Sequence, residues 1–176
     1  RIAARRAGQG VERPGHRAGF GIGASSNTGT RVEANYNTPD LFGQAWEFDT
    51  GLRLEQKRQT FYSDVILPPD DRQRRHSVGF LYETSDIEKL RTERHAFGIQ
   101  SVQQRGSIEQ RLSLNWQRET RWPDGSADIT SRALVPNAMW TWREIDKLLD
   151  PRAGTVLQLS VGGGAKAALS DQNFVR

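Results

Sequence analysis

Apolar and polar residues alternate with a period of two along most of this chain, the spacing of extended strands with unlike faces. Between Ala45 and Lys57, Trp46, Phe48, Thr50, Leu52 and Leu54 share one face, and Glu47, Asp49, Gly51, Arg53 and Glu55 the other. The same alternation sets Val32, Ala34 and Tyr36 against Arg31, Glu33 and Asn35, and Leu112, Leu114 and Trp116 against Arg111, Ser113, Asn115 and Gln117. Val78, Phe80 and Tyr82, and then Phe97 and Ile99, repeat it. Ten strands are expected, at about 18–25, 30–37, 44–57, 59–67, 76–85, 93–104, 107–120, 127–135, 137–145 and 155–165, with 174–176 beginning another. The only helix candidate, "DIEKLRTE" at 86–93, is too short to stand alone.

Turn residues punctuate the strands: Asn27 and Gly29, Pro39-Asp40, Pro69-Asp70, Gly106, and a Pro136-Asn137 reversal. Links after the second, fourth, sixth and eighth expected strands are short, and those after the fifth, seventh and ninth are longer and polar. Short turns at one rim, longer loops at the other and strands of about 9–11 residues form the pattern of a membrane β-barrel. Trp46, Trp116, Trp122, Trp140 and Trp142 sit at or near strand ends, as an interfacial girdle would, although core aromatics of a soluble sheet fit equally well. The expected fold is all-β, a membrane-spanning antiparallel up-and-down barrel, partial within this chain. A soluble β-barrel or sandwich binding a small apolar ligand is the alternative.

Composition sharpens this picture. With 35% hydrophobic and 26% charged residues and a mean hydropathy of −0.71, the 176 residues hold little apolar material for a large core. The longest uncharged runs, Ala18 to Thr30 and Ala153 to Ala165, are 13 residues long and glycine-rich, too short for a membrane helix. There is no cysteine, which removes thiolate chemistry and disulfides. The net charge of +4 raises nucleic-acid binding, with clusters at Arg1, Arg5, Arg6, Arg13 and Arg17 and at Arg72, Arg74 and Arg75. Acidic residues are interleaved with the basic ones, starting with Asp70 and Asp71, and favour a solvated or lumen-facing role with no nucleic acid.

Candidate chemistry is sparse. His16, His76 and His95 lack metal-ligand spacing, no GxSxG elbow occurs, and Gly162 to Gly164 are not followed by the Lys-Ser/Thr of a phosphate loop. The triple glycine reads as strand curvature or a bulge. Asp150 and Arg152 of "DPRAG" read as a turn motif, Asp150-Pro151 initiating it, Arg152 a loop charge and Gly154 relaxing it. No enzyme, metal or cofactor is expected. The distinctive feature is "GFGIGAS", which puts Gly19, Gly21 and Gly23 on one face of a strand and Phe20 and Ile22 on the other.

That stretch, the turn and strand after it, "NTPDLFG", and the later order of "LVPNAMWTW", "DPRAG" and a long strand resemble the BamA/TamA superfamily of outer-membrane assembly proteins, its TamA branch above all. The resemblance covers roughly 16–176 and implies about ten of sixteen strands of a barrel in the outer membrane of a Gram-negative bacterium. On this reading 1–15 are an unassigned lead-in, disordered or artefactual, POTRA repeats precede the barrel, and a lumen motif and a last strand follow. The implied function is insertion or secretion of autotransporters and other outer-membrane proteins through a lateral seam. Gly19, Phe20, Gly21, Ile22, Gly23, Ala24 and Ser25 would form its gate strand; alternatively, the alternate glycines simply leave lumen space for a plug or for long neighbouring side chains. The implied partners are outer-membrane lipid, client β-barrel and autotransporter proteins, and TamB; for a general insertase of the BamA type they are accessory lipoproteins instead.

Overall fold

A computed structural model describes residues 15–26, 29–145, 153–164 and 170–171, with the backbone of 174–175. Nine antiparallel strands follow one another: β1 (Arg17–Ser25), β2 (Gly29–Leu41), β3 (Trp46–Glu55), β4 (Arg58–Ile66), β5 (Arg74–Ile87), β6 (Leu90–Arg105), β7 (Ile108–Pro123), β8 (Ile129–Ile145) and β9 (Gly154–Gly164). A two-residue strand, β10 (Phe174–Val175), pairs with the end of β9. Each strand pairs with its neighbours in sequence, so the sheet is an up-and-down meander, and no pairing between β1 and the last strands closes it among the described residues.

The register carries the period-two pattern across the whole sheet. Ile22, Val32 and Leu54 lie opposite one another, as do Phe80, Phe97, Trp116 and Leu134 farther along. These residues build one apolar face. Among the described residues no apolar side chain is buried, and nothing covers that face. A soluble sheet buries one face against a second layer, because burying a large apolar side chain contributes about 1.5–3 kcal/mol. Among the described residues this sheet has no such layer.

The helix candidate at 86–93, too short to stand alone, is a hairpin, with Glu88 and Lys89 both at positive φ (53° and 64°) between the paired ends of β5 and β6. Two expectations need correction. The Pro136-Asn137 reversal is absent, since both residues lie inside the single strand β8. Along β8 the amide N–H groups of Arg132 and Leu134 donate away from β7, to the Asp171 carboxylate and to Ser170 Oγ. Pro136 shares their parity, so its missing N–H falls on that same edge, beside Asn137, where the pairing with β9 stops. A proline there interrupts no ladder. Merging two expected strands also removes the regular alternation of short and long links. Connections 56–57, 88–89 and 124–128 lie at one rim and 42–45, 67–73 and 106–107 at the other, so both rims mix lengths.

Turn chemistry sits close to where it was expected. Pro39 and Asp40 lie at the end of β2, where the register with β3 shifts between Thr38 and Leu41. Asp40 Oδ1 there accepts from the Ala45 N–H at 2.6 Å, closing the 42–45 turn. Of the girdle residues, Trp46 opens β3, Trp122 is near the end of β7, and Trp140 and Trp142 are near the end of β8. Trp116 lies mid-strand, because β7 runs three residues beyond its expected end.

Candidate functional site

The expected gate residues all lie on β1, which pairs with β2 along its whole length, from Arg17↔Asn37 to Ser25↔Gly29. The other edge of β1 has no strand beside it among the described residues. The start of the strand is held from β2: Thr38 Oγ1 donates to the Gly15 carbonyl at 2.7 Å, and the His16 ring stacks on Tyr36 and hydrogen-bonds its hydroxyl at 2.7 Å. Thr38 is fully buried in doing so.

The alternate glycines have a geometric reason. Gly19, Gly21 and Gly23 stand opposite Asn35, Glu33 and Arg31, whose side chains lie flat across them. A Cβ on Gly19 would overlap Asn35 Oδ1; one on Gly21 would come within 2.8 Å of Glu33, and one on Gly23 within 3.2 Å of Arg31. The space the glycines leave is filled by polar side chains of β2. Glu33 in turn joins Arg31 at 3.6 Å and Arg53 of β3 at 3.2 Å, and Asn37 donates to Asp49 at 3.2 Å. The motif recurs along the sheet, where Tyr62 covers Gly51, Asp64 covers Gly79 and Asn115 covers Gly98. On the opposite face Phe20 and Ile22 are 87% and 90% exposed, while Phe61, Phe80 and Phe97 on inner strands are 37–44% exposed. A single neighbouring strand is the reason for the difference.

The polar face also carries a cleft of about 510 Å³, lined among others by Tyr62, Asp64, Leu81, Arg94, Asn115 and Gln117. Along this face ion pairs join strands, Arg58 with Glu83 at 2.7 Å, Arg75 with Glu47 at 3.0 Å and Arg143 with Glu109 at 3.0 Å. Partly exposed pairs like these contribute little each.

The "DDRQRR" cluster is neutralised locally. Asp70 accepts from the backbone N–H groups of Arg72 and Arg74, both at 2.9 Å, and from the Arg74 guanidinium at 2.7–2.8 Å, while Arg75 reaches Glu47. The Arg74 amide and guanidinium, helped by Arg72 and His76, hold the Asp70 carboxyl well below the usual carboxylate range. Arg72 to Arg75 are therefore a capped turn rather than a free basic patch.

No reacting centre is assembled among the described residues. His16 meets Tyr36, His76 lies 3.5 Å from Asp70, and His95 lies 3.0 Å from Glu93, each at a separate place. No three metal-ligating side chains converge among the described residues. Gly162 pairs with Asn137 and Gly164 with Phe174 in a regular ladder, where the sequence suggested a bulge. Gly154 opens β9 at φ 146°, against the Glu144 carbonyl. Asp150, Pro151 and Arg152, and the cluster Arg1 to Arg13, lie outside the described residues.

Two features escaped the sequence reading. Ser170 and Asp171 return to the free half of β8: Ser170 Oγ accepts from the Leu134 N–H at 2.8 Å and donates to its carbonyl at 3.2 Å, and the Asp171 N–H donates to the Arg132 carbonyl at 2.9 Å. No local pattern in the sequence marks this contact. The second is a row of His95, Arg118 and Arg132 at one level of the apolar face. Parity places Arg118 on the face of Trp116, but only the register aligns it with Arg132.

No protein-family model matches the chain, and no curated protein matches its sequence. Among solved structures, BamA from Haemophilus ducreyi lacking POTRA domains 1–3 shares the fold, with a TM-score of 0.64 over 88% of this chain at 14% sequence identity. The chain matches about a third of that protein, 35% of its length. At this identity the likeness is one of fold.

Proposed function

We propose that this chain is part of a transmembrane β-barrel of an outer-membrane assembly factor, in which the apolar face meets lipid and the polar face a wet lumen. One observation carries the membrane reading: no apolar side chain among the described residues is buried, and the exposed ones, apart from Phe42 in a turn and Leu90, Ile129 and Val156 near strand ends, lie on a single face. Along β8 that face runs through Leu134, Pro136, Ala138, Trp140 and Trp142. Nine residues at ~3.4 Å each, tilted as barrel strands are, match the ~25 Å apolar band of such barrels. The soluble alternative, a barrel around a small apolar ligand, would need an apolar interior, and here the glycine-lined, cleft-bearing face is the polar one.

The assembly role rests on the fold likeness to BamA together with the resemblance of 16–176 to the superfamily. On this reading β1 is one side of a seam. Over 17–24, where no second strand lies beside it among the described residues, its outer edge offers N–H donors and C=O acceptors that, in lipid, cost several kcal/mol each unless paired, so an incoming client strand is drawn into register by β-augmentation. Gly19, Gly21 and Gly23 put no side chain of their own beside the client strand, their space being filled from β2, and reduce strand propensity by up to about 1 kcal/mol each. No metal or nucleotide is needed for such an exchange of hydrogen bonds.

The fold likeness favours a general insertase of the BamA type, with accessory lipoproteins as partners. The TamA reading, with autotransporters as clients and TamB as partner, rests on the sequence resemblance. Depleting the complete protein separates them: loss of most outer-membrane barrels supports the general role, and loss of autotransporters alone the TamA role. Cysteines on β1 and on the last strand of the complete barrel test the seam. If a disulfide locking them leaves client assembly unchanged, β1 is not the gate.

A further inference from the structure

On the apolar face of β6, β7 and β8, the level formed by Phe97, Trp116 and Leu134 is followed, towards connections 88–89 and 124–128, by the level His95, Arg118 and Arg132. Arg118 and Arg132 stand directly opposite each other on adjacent strands, and both are exposed. Like charges so placed repel. The nearest acids on these strands are committed elsewhere. Glu93 contacts His95 at 3.0 Å, Glu119 pairs with Arg121 on the other face, and the Asp171 carboxylate accepts the backbone N–H of Arg132. Neither guanidinium has an ion-pair partner among the described residues, in contrast to the cross-strand pairs of the polar face.

We propose that Arg118 and Arg132 together bind the phosphate of an anionic membrane lipid whose acyl chains lie along Trp116, Leu114 and Leu134. The proposal rests on the membrane-barrel reading above and adds a headgroup site to it. Residues directly opposite in an antiparallel pair are ~5 Å apart at Cα, so two arginines can converge on one phosphate, and a guanidinium matches phosphate geometry with paired N–H donors. Both cations sit one side-chain level above the apolar surface, with Trp116 beneath them and the Tyr82 ring 5.0 Å from that of His95, which is the order of chemistry at a lipid headgroup boundary. A bound phosphate replaces repulsion between the two arginines with two charge-assisted contacts.

The test uses the complete protein in phosphatidylcholine vesicles carrying, in parallel, brominated phosphatidylglycerol or the same fraction of brominated phosphatidylcholine, read by quenching of tryptophan fluorescence. Anionic lipid is expected to quench more strongly at low salt. Each arginine at an anionic surface raises association about fivefold, so Arg118→Gln with Arg132→Gln should cut the preference for anionic lipid about 25-fold, with quenching by the neutral lipid unchanged. Should the double variant fail to insert, each single variant is expected to cut the preference about fivefold. Equal quenching by the two lipids in the unaltered protein, or a preference that survives both substitutions, overturns the headgroup site while leaving the membrane reading intact. Quenching by neither lipid overturns both.

Discussion

At the scale of single residues, the glycines of β1 are explained by what lies across them. Their neighbours differ in how far they can yield: Asn35 is short, Glu33 longer, and Arg31 touches with the end of a flexible side chain. Replacement by alanine should therefore destabilise in the order Gly19→Ala, Gly21→Ala, Gly23→Ala, from about 1–3 kcal/mol down to near zero. Denaturant midpoints of the detergent-folded protein measure this, and an inverted order would show that β2 side chains do not occupy the glycine space. Asp70 makes a second residue-scale prediction. Its folded pKa is depressed, so its contribution is present above the ordinary carboxylate range and lost only as pH falls through the lower folded value. Amide exchange at Arg72 and Arg74 should stay slow from neutral pH down to about pH 4, where an ordinary carboxylate is half protonated. Asp70→Asn should speed it throughout that range.

At the scale of elements, two places run against local preference. The Glu88-Lys89 turn holds two side chains at positive φ, where asparagine and glycine are favoured. Replacing the pair with Asn-Gly should raise stability by about 1 kcal/mol, seen as a shift of the unfolding midpoint. The segment 86–93, a helix candidate too short to stand alone, forms this hairpin because its charged residues also suit strands that pair on both sides, as β5 does with β4 and β6 with β7. Pro136 is the converse case. Its position at the end of the β9 pairing predicts that Pro136→Ala changes stability by under 1 kcal/mol, whereas Leu114→Pro, opposite it on a strand paired on both sides, costs about 3 kcal/mol or more. Equal effects in unfolding experiments would contradict the register.

For the whole molecule, the prediction concerns its two faces. Ile99 and Gln100 are adjacent in β6 and point to opposite sides, Ile99 towards Val78 and Leu114, Gln100 towards Ser77 and Ser113. In a membrane barrel, Ile99→Arg should cost about 2–4 kcal/mol and block folding into vesicles, and Gln100→Arg should be tolerated. Indifference at both positions would exclude the lipid-facing assignment. The fold was largely legible because period-two alternation survives any sheet arrangement that leaves one face polar. The candidate gate was legible as a glycine pattern on β1. Its neighbours on the other strands were not, since Asn35, Glu33 and Arg31 are brought to the glycines only by register.

The sequence by itself determined that the described residues form strands with one apolar and one polar face, because side-chain alternation is a local property of extended backbone, and it holds no uncharged run long enough for a membrane helix. Tertiary structure decided the rest. Hydrogen-bond register merged two expected strands through Pro136, laid polar side chains over the glycines, folded Ser170 and Asp171 onto the open half of β8, and aligned Arg118 with Arg132. Each of these depends on which distant residue lies opposite, and strand pairing, unlike strand formation, is a choice between partners far apart in the chain.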